Sequence, residues 1–281
     1  MEQPLAPAPG PTLLSLRGAR VCRGGTPVLQ GLDLDLREGE HTAILGPNGC
    51  GKSTFVRMVN RQDYAMEAAD GPSPVRIFGR DRWDVSELRS HLGIVSADLG
   101  HTLATADGGG QLRGRQVVLS GFFASHGLFP HHRPTPEMEA RADRALELMG
   151  AAHLARTRIQ EMSTGEARRI LIARALAPEP RALLLDEPTT GLDLVARRHL
   201  LELLRGLARR GCTLILVTHH LEELLPEVQR VVLLKAGRIF QDGPRRQVLT
   251  DAALSALYGA PVRLRAEGDY LGADVGPGPH P

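Results

Sequence analysis

The run ILGPNGCGKST, residues 44–54, sets Gly46, Gly49 and Gly51 ahead of Lys52 and Ser53, an order of residue types that grips phosphate groups. Glycines let the backbone curl until successive amides point at one spot. A helix opening directly behind them adds positive potential for an anion. Gly46, Pro47, Asn48, Gly49, Cys50, Gly51, Lys52, Ser53 and Thr54 thus form a candidate loop for a nucleoside polyphosphate. Lys52 can reach the β- and γ-phosphates, and the Ser53 hydroxyl suits magnesium. A second unit lies in ALLLDEP, where an apolar run carries Asp186 and Glu187 to a strand end. Adjacent carboxylates can divide the labour: Asp186 holds magnesium through water, and Glu187 orients or deprotonates the attacking water. His219, closing LVTHH, can touch a γ-phosphate as a donor, while His220 is read as structural.

These groups need a scaffold that brings them to one edge. HTAILG is apolar almost throughout and runs into the glycine-rich turn, the pattern of a buried central strand in an α/β sheet. RALLLDE and CTLILVTHH repeat it, with Leu200, Leu203, Leu204, Leu207 and Ala208 at helical spacing between them. Strand, helix, strand implies parallel pairing. From Leu13 to Leu36 the alternation of Leu32, Leu34 and Leu36 with Asp33 and Asp35 predicts antiparallel strands with one wet face. After Ala97 the pattern changes. The glycines at 108–110 read as a flexible loop, and then only helical periodicity appears, as in Ala142, Ala145, Leu146 and Met149. VVLLKAGRIFQDG predicts a hairpin turning at Gly237, with short helices following to about Tyr258.

The segment EMSTGEARRILIARAL, residues 161–176, opens an apolar helix on a polar knot. Ser163 and Glu166 make a capping box, the serine side chain accepting from a helical amide and the glutamate reaching back to the serine amide. Capping leaves Gly165 unexplained. A glycine there exposes backbone at a helix start, where anions bind. A second anion site on a chain that already has a phosphate loop suggests that two chains share each nucleotide.

Taken in order, GPNGCGKST, MSTGEARRILIARAL, LLLDEPTTGLD and VTHH resemble the ATP-binding cassette (ABC) ATPase family over nearly the whole chain except its ends. The resemblance implies an ATPase using ATP and Mg2+, built on a P-loop fold. That fold has a central mostly parallel sheet, an N-terminal antiparallel β subdomain and an inserted α-helical subdomain. It implies that two cassettes face each other, most simply as a homodimer. The signature Ser163, Thr164, Gly165 and Glu166 of one would then close on the γ-phosphate held by the other. Asp193 in TTGLD matches the loop that crosses this interface near the attacking water.

Three positions depart from the family pattern. Arg23 stands where an aromatic residue usually stacks on adenine, and a guanidinium can stack on a base as well. Thr164 replaces the first glycine of the signature. Ser96 ends HLGIVS where a glutamine usually touches magnesium and relays nucleotide state to a membrane partner; a serine can still ligate through water. The expected function is the ATP-hydrolysing subunit that drives a separately encoded membrane permease, at the cytoplasmic face of the membrane. The Ser96 substitution motivates a rival reading, a soluble nucleotide switch acting on a cytoplasmic repair or translation component.

Bulk properties agree. The 281 residues are 42% hydrophobic, and 34 basic against 32 acidic residues leave a formal charge of +2, giving no general case for nucleic acid. Cys22, Cys50 and Cys212 have neither disulfide-framework nor metal-ligand spacing, which suits a reducing cytoplasm. The start MEQPLAPAPGPT lacks the pattern of a secretory signal, and no apolar run is long enough to span a bilayer. The expected organisation is a disordered tail at 1–12, one ATPase domain at 13–260 with its helical insertion at about 97–178, and a disordered tail at 261–281. NRQD at 60–63 is read as a helix end, His126, His131 and His132 as loop residues, and the arginines at 168–169 and 209–210 as solvated helix faces, with the alternative that Arg168 or Arg169 lies near the nucleotide interface.

Overall fold

The computed structural model describes residues 10–66, 72–96 and 111–276. Its centre is a six-stranded sheet in the order β5-β6-β7-β3-β8-β9. The strands are β3 (Thr42–Leu45), β5 (Leu92–Val95), β6 (Ala182–Asp186), β7 (Thr213–Thr218), β8 (Arg230–Lys235) and β9 (Arg238–Pro244). β5, β6, β7, β3 and β8 pair in parallel, and β9 closes the edge as the antiparallel arm of the hairpin turning at Ala236 and Gly237. β1 (Thr12–Arg23) and β2 (Thr26–Arg37) form the expected antiparallel ribbon, with β4 (Val75–Ile77) on the free side of β1.

The parallel strands are apolar on both faces because both faces are covered. Ile44, Leu184, Ile215 and Val217 point into a core shared with the antiparallel sheet and with α1 (Lys52–Val59), which contributes Phe55, Val56, Met58 and Val59. Ala43, Leu45, Leu183, Leu185 and Leu216 point the other way, into a core with the helical part of the chain. The two-residue period of a strand divides each apolar run between these cores. α2 (Val85–His91), capped by Asp84, leads into β5.

Among the described residues the helical insertion comprises α3 (Gly114–Leu119), α4 (Pro136–Leu148) and α5 (Thr164–Leu176). The glycine run at 108–110 lies outside the described residues. α5 has all residues from Ile170 to Leu176 buried, so it runs through the core instead of lying on it. α6 (Leu194–Arg209) bridges β6 and β7, and α7 (Arg245–Val248) and α8 (Asp251–Tyr258) follow the hairpin.

Both chain ends correct the expected boundaries. Gly10 donates its amide to the Glu38 carbonyl and Pro11 accepts from Glu38, so the ordered chain begins before Leu13. At the other end, β10 (Val262–Glu267) and β11 (Tyr270–Val275) form an antiparallel hairpin where a tail was expected. The cause is Tyr270. Its ring is buried beneath the Arg198 and Arg205 guanidiniums, its hydroxyl donates to Glu202, and neighbouring Asp269 pairs with Arg205.

Candidate active site

Parallel strands deliver their C-terminal ends to one edge, and the switch in strand direction of connection leaves a crevice there. Ser96 follows β5, Asp186 and Glu187 end β6, His219 follows β7, and the loop 46–51 follows β3. The sequence-predicted residues of the strand ends therefore meet along one rim, in the order β5, β6, β7, β3.

The loop is fastened from several sides. Gly46 donates to Thr218 O, Cys50 donates to Pro47 O, and Gly237 of the β8–β9 turn donates to Cys50 O. Gly51 has φ 110°, and a side chain there would meet Leu29 Cδ2 at 2.8 Å, so only glycine fits this N-cap position. Cys50 is buried, which pushes its thiol pKa up against the pull of Lys52, in keeping with a small packing residue. Lys52 is only 5% exposed, and its ammonium donates to the carbonyls of Gly46 at 2.8 Å and Pro47 at 3.1 Å. The cation is thus held inside the curl of the loop. Ser53 is exposed and Thr54 is buried at the start of α1.

Asp186 is 6% exposed. Glu187, next to it, has φ 45°, a left-handed backbone that costs a residue with a side chain about 1–2 kcal/mol. Its surroundings hold it there. Its amide continues the ladder to Val217 O at 2.8 Å, Oε1 lies 2.8 Å from His219 Nδ1, and Oε2 accepts from Thr190 Oγ1 at 3.2 Å. Tyr258, at the end of α8, donates its hydroxyl to His219 O at 3.2 Å, and burial has pushed that phenol up to about 12. The rings of His219 and His220 lie 3.8 Å apart. Ser53, Asp186 and Ser96 offer hydroxyl and carboxylate oxygens, a hard donor set that suits magnesium.

The capping box forms as expected. Ser163 Oγ accepts from the Glu166 amide at 3.3 Å, and Glu166 Oε2 accepts from both the amide and the hydroxyl of Ser163, each at 2.8 Å. These bonds, the amide first, hold the Glu166 carboxyl below the usual range. Ser163 and Thr164 are exposed, and Gly165 lies where a Cβ would come within 3.3 Å of Ala196 Cβ. Asp193 caps α6 by accepting from Ala196 N at 2.8 Å. Arg23 ends β1 and pairs with Asp63 at 3.7 Å. The signature group and Arg23 are not in hydrogen-bond contact with the rim residues; the rim holds Lys52, Asp186, Glu187, Ser96 and His219.

Arg168 corrects the reading of its position as a solvated face. It is 8% exposed, and burial lowers its pKa while Glu223, then Asp186 and Glu187, raise it. Because α5 is buried on all sides from Ile170 onward, its sequence has no continuous polar stripe from which the fate of Arg168 could be read. Sequence reasoning also missed Leu194 and Val195, each 80% exposed beside Asp193, and Glu223, which is fully buried. A pair of aliphatic residues directly after a polar loop was the available signal for the first two.

Known proteins point the same way as the geometry. The ABC transporter family profile matches residues 29–190. An uncharacterised ABC transporter ATP-binding protein of Bacillus subtilis is 34% identical over 90% of this chain and 93% of its own length. A hemin import ATP-binding protein of Streptomyces coelicolor is 35% identical over 92% of this chain and 87% of its own. Among solved structures, an ABC transporter of proposed metal-chelate type, in an inward-facing conformation, has a TM-score of 0.75 at 25% identity, covering 94% of this chain and 97% of that one.

Proposed function

The chain belongs to the ABC transporter ATP-binding family, and from that premise we propose how its residues divide the work of driving a membrane permease. It is an ATPase subunit of an ABC transporter, and such subunits dimerise and work with membrane permeases. Among the described residues no helix is long and apolar enough to cross a membrane.

The observation that carries the assignment of roles is the 2.8 Å contact between His219 and Glu187 on the rim shared with the Lys52 loop. In this reading the loop Gly46–Thr54 wraps the phosphates with its amides, and Lys52 supplies a positive charge to the β- and γ-groups. Glu187 accepts a proton from water as the water oxygen attacks the γ-phosphorus. The bond from that phosphorus to the bridging oxygen breaks, and ADP and phosphate leave. His219 holds the Glu187 carboxylate in line and faces the departing phosphate. Magnesium, held by Ser53 and Asp186 with Ser96 reaching through water, would neutralise phosphate charge.

Hydrolysis in this reading needs a second copy of the chain. Ser163 and Thr164 are exposed, and Leu194 and Val195 lie bare beside Asp193. Two adjacent aliphatic side chains in water favour burial, by roughly 1.5–3 kcal/mol each when complete. A head-to-tail dimer covers them and brings each signature to the other chain's phosphates. Arg23 takes the adenine by stacking. The relative named for hemin and the transporter of proposed metal-chelate type support a metal chelate as cargo, moved inward by a permease at whose cytoplasmic face this subunit sits.

The test is to isolate the Glu187→Gln protein from detergent-solubilised native cells with ATP present and identify what accompanies it. A polytopic membrane protein is the expected companion. Recurrent soluble partners alone would overturn the transporter role and leave Ser96 as the mark of a nucleotide switch.

A further inference from the structure

Glu223 ends the short 3-10 turn Leu221–Glu223, just beyond His219, and Thr189 stands just beyond Glu187. Both side chains are fully buried. The Thr189 amide donates to Glu223 Oε1 at 3.2 Å, and the Thr189 hydroxyl donates to the same oxygen. Glu223 Oε2 is equally buried and has no hydrogen-bond partner among the described residues. A carboxylate placed out of water is costly unless it is paired. A side chain buried at that cost and gripping Thr189 by both its amide and its hydroxyl calls for a reason.

The two loops it joins supply the reason. One carries Glu187 and the other carries His219. The contact between those two side chains is a quarter exposed on each partner, open to competition from water. It therefore cannot alone keep the loops in register through a turnover. The Thr189–Glu223 bond lies in the dry interior, away from the reacting atoms, and joins the same two loops in parallel. Arg168, buried in α5, has Glu223 as the leading carboxylate acting on it, ahead of Asp186 and Glu187.

We propose that Glu223 is a positioning residue for ATP hydrolysis: by gripping Thr189 it holds the loop of Glu187 at a fixed spacing from the loop of His219. This rests on the roles given to Glu187 and His219 above. Fully buried, Glu223 acts through the geometry of the other two.

The test compares Glu223→Ala, Glu223→Gln and Glu223→Asp in the full chain, measuring phosphate release, binding of a non-hydrolysable ATP analogue and thermal unfolding. The alanine variant should lose about 10- to 100-fold in kcat, the effect of misplacing a catalytic group by an ångström or less. Analogue affinity should stay within about threefold, because nothing that touches nucleotide is removed. Glutamine keeps an acceptor oxygen for Thr189 and should recover most of the lost turnover. Native turnover in a folded alanine variant would overturn the proposal. So would a glutamine variant as impaired as alanine, or affinity falling in step with kcat. Should alanine fail to fold, aspartate decides: its shorter reach must lower kcat while glutamine holds it, and the opposite order overturns the clamp. Glu187→Gln is measured alongside. If it still turns over at the native rate, the base assignment fails by its own control, whatever Glu223 does.

Discussion

His219 Nδ1 stands 2.8 Å from Glu187 Oε1, and the other oxygen of that carboxylate accepts from Thr190 Oγ1. Glu187 is therefore aimed from two sides, in a backbone conformation that its type disfavours. In its proposed role as base, a carboxylate so fixed has little freedom to lose when substrate arrives, which is the advantage of pre-organisation.

Replacing Glu187 with Gln keeps the size and the acceptor for His219 but removes proton acceptance. Phosphate release should fall at least about 100-fold. ATP-dependent dimer, followed by size-exclusion chromatography, should persist and lengthen in lifetime.

His219→Ala should lower kcat by about 100-fold, since both the aim of Glu187 and a donor to the phosphate go with it. Thr190→Val removes a single hydrogen bond worth about 1 kcal/mol and should cost roughly fivefold. Steady-state kinetics on the two variants separates the contributions.

Ser163→Ala should destabilise the chain by about 1 kcal/mol through loss of the helix cap, measured by chemical denaturation. Under the proposed sharing of each nucleotide between two chains, it should also lower turnover far more than that change in stability explains. Glu166 gives a second readout. Its carboxyl is held below the usual range by Ser163, so its stabilisation is complete above the ordinary carboxylate pKa and fades as pH falls through the depressed folded value. Glu166→Gln should show a flatter loss of stability with acid across that window.

Gly237→Ala tests the support beneath the phosphate loop. Gly237 has φ 73°, and an added Cβ would come 2.1 Å from Val28 O while its amide donates to Cys50 O. Backbone strain alone costs about 1–2 kcal/mol, and the steric overlap adds to it. ATP affinity, read by titration calorimetry, should weaken together with the melting temperature.

Tyr270→Ala should cost about 3 kcal/mol, as deletion of a buried aromatic does. It should leave ATP affinity per folded molecule unchanged, because the Tyr270 ring itself packs on Arg198, Glu202 and Arg205 of α6 and not on the phosphate loop. A melting curve and an ATP titration on the same preparation decide the matter.

The phosphate loop, the two carboxylates and the parallel strands were legible because each is written in adjacent residues: an apolar run, then a turn, then the reacting group. Glu223 was not, since its partner Thr189 is distant in sequence and a glutamate before Leu224 and Leu225 resembles an ordinary surface acid. Arg168 was misread as wet because a helix buried all round from Ile170 onward has no continuous polar stripe by which to orient it. The closing hairpin was hidden by the Gly- and Pro-rich residues that follow. The alternation of Val262 and Leu264 with Arg263 and Arg265 was the signal, and the anchor at Tyr270 lies in packing that no local pattern encodes.

The order of strands carries a consequence for synthesis. β3, which leads into the phosphate loop, lies between β7 and β8, and His41 at its base bonds to Leu214 and Gln229, 173 and 188 residues further on. A nascent chain on the ribosome holds the whole phosphate-binding motif early and yet lacks both neighbours that flatten β3 into a sheet. Such distant pairings form late. The growing polypeptide therefore lacks both strands beside β3, and the Gly237 amide that fastens Cys50, until the β8–β9 turn has emerged.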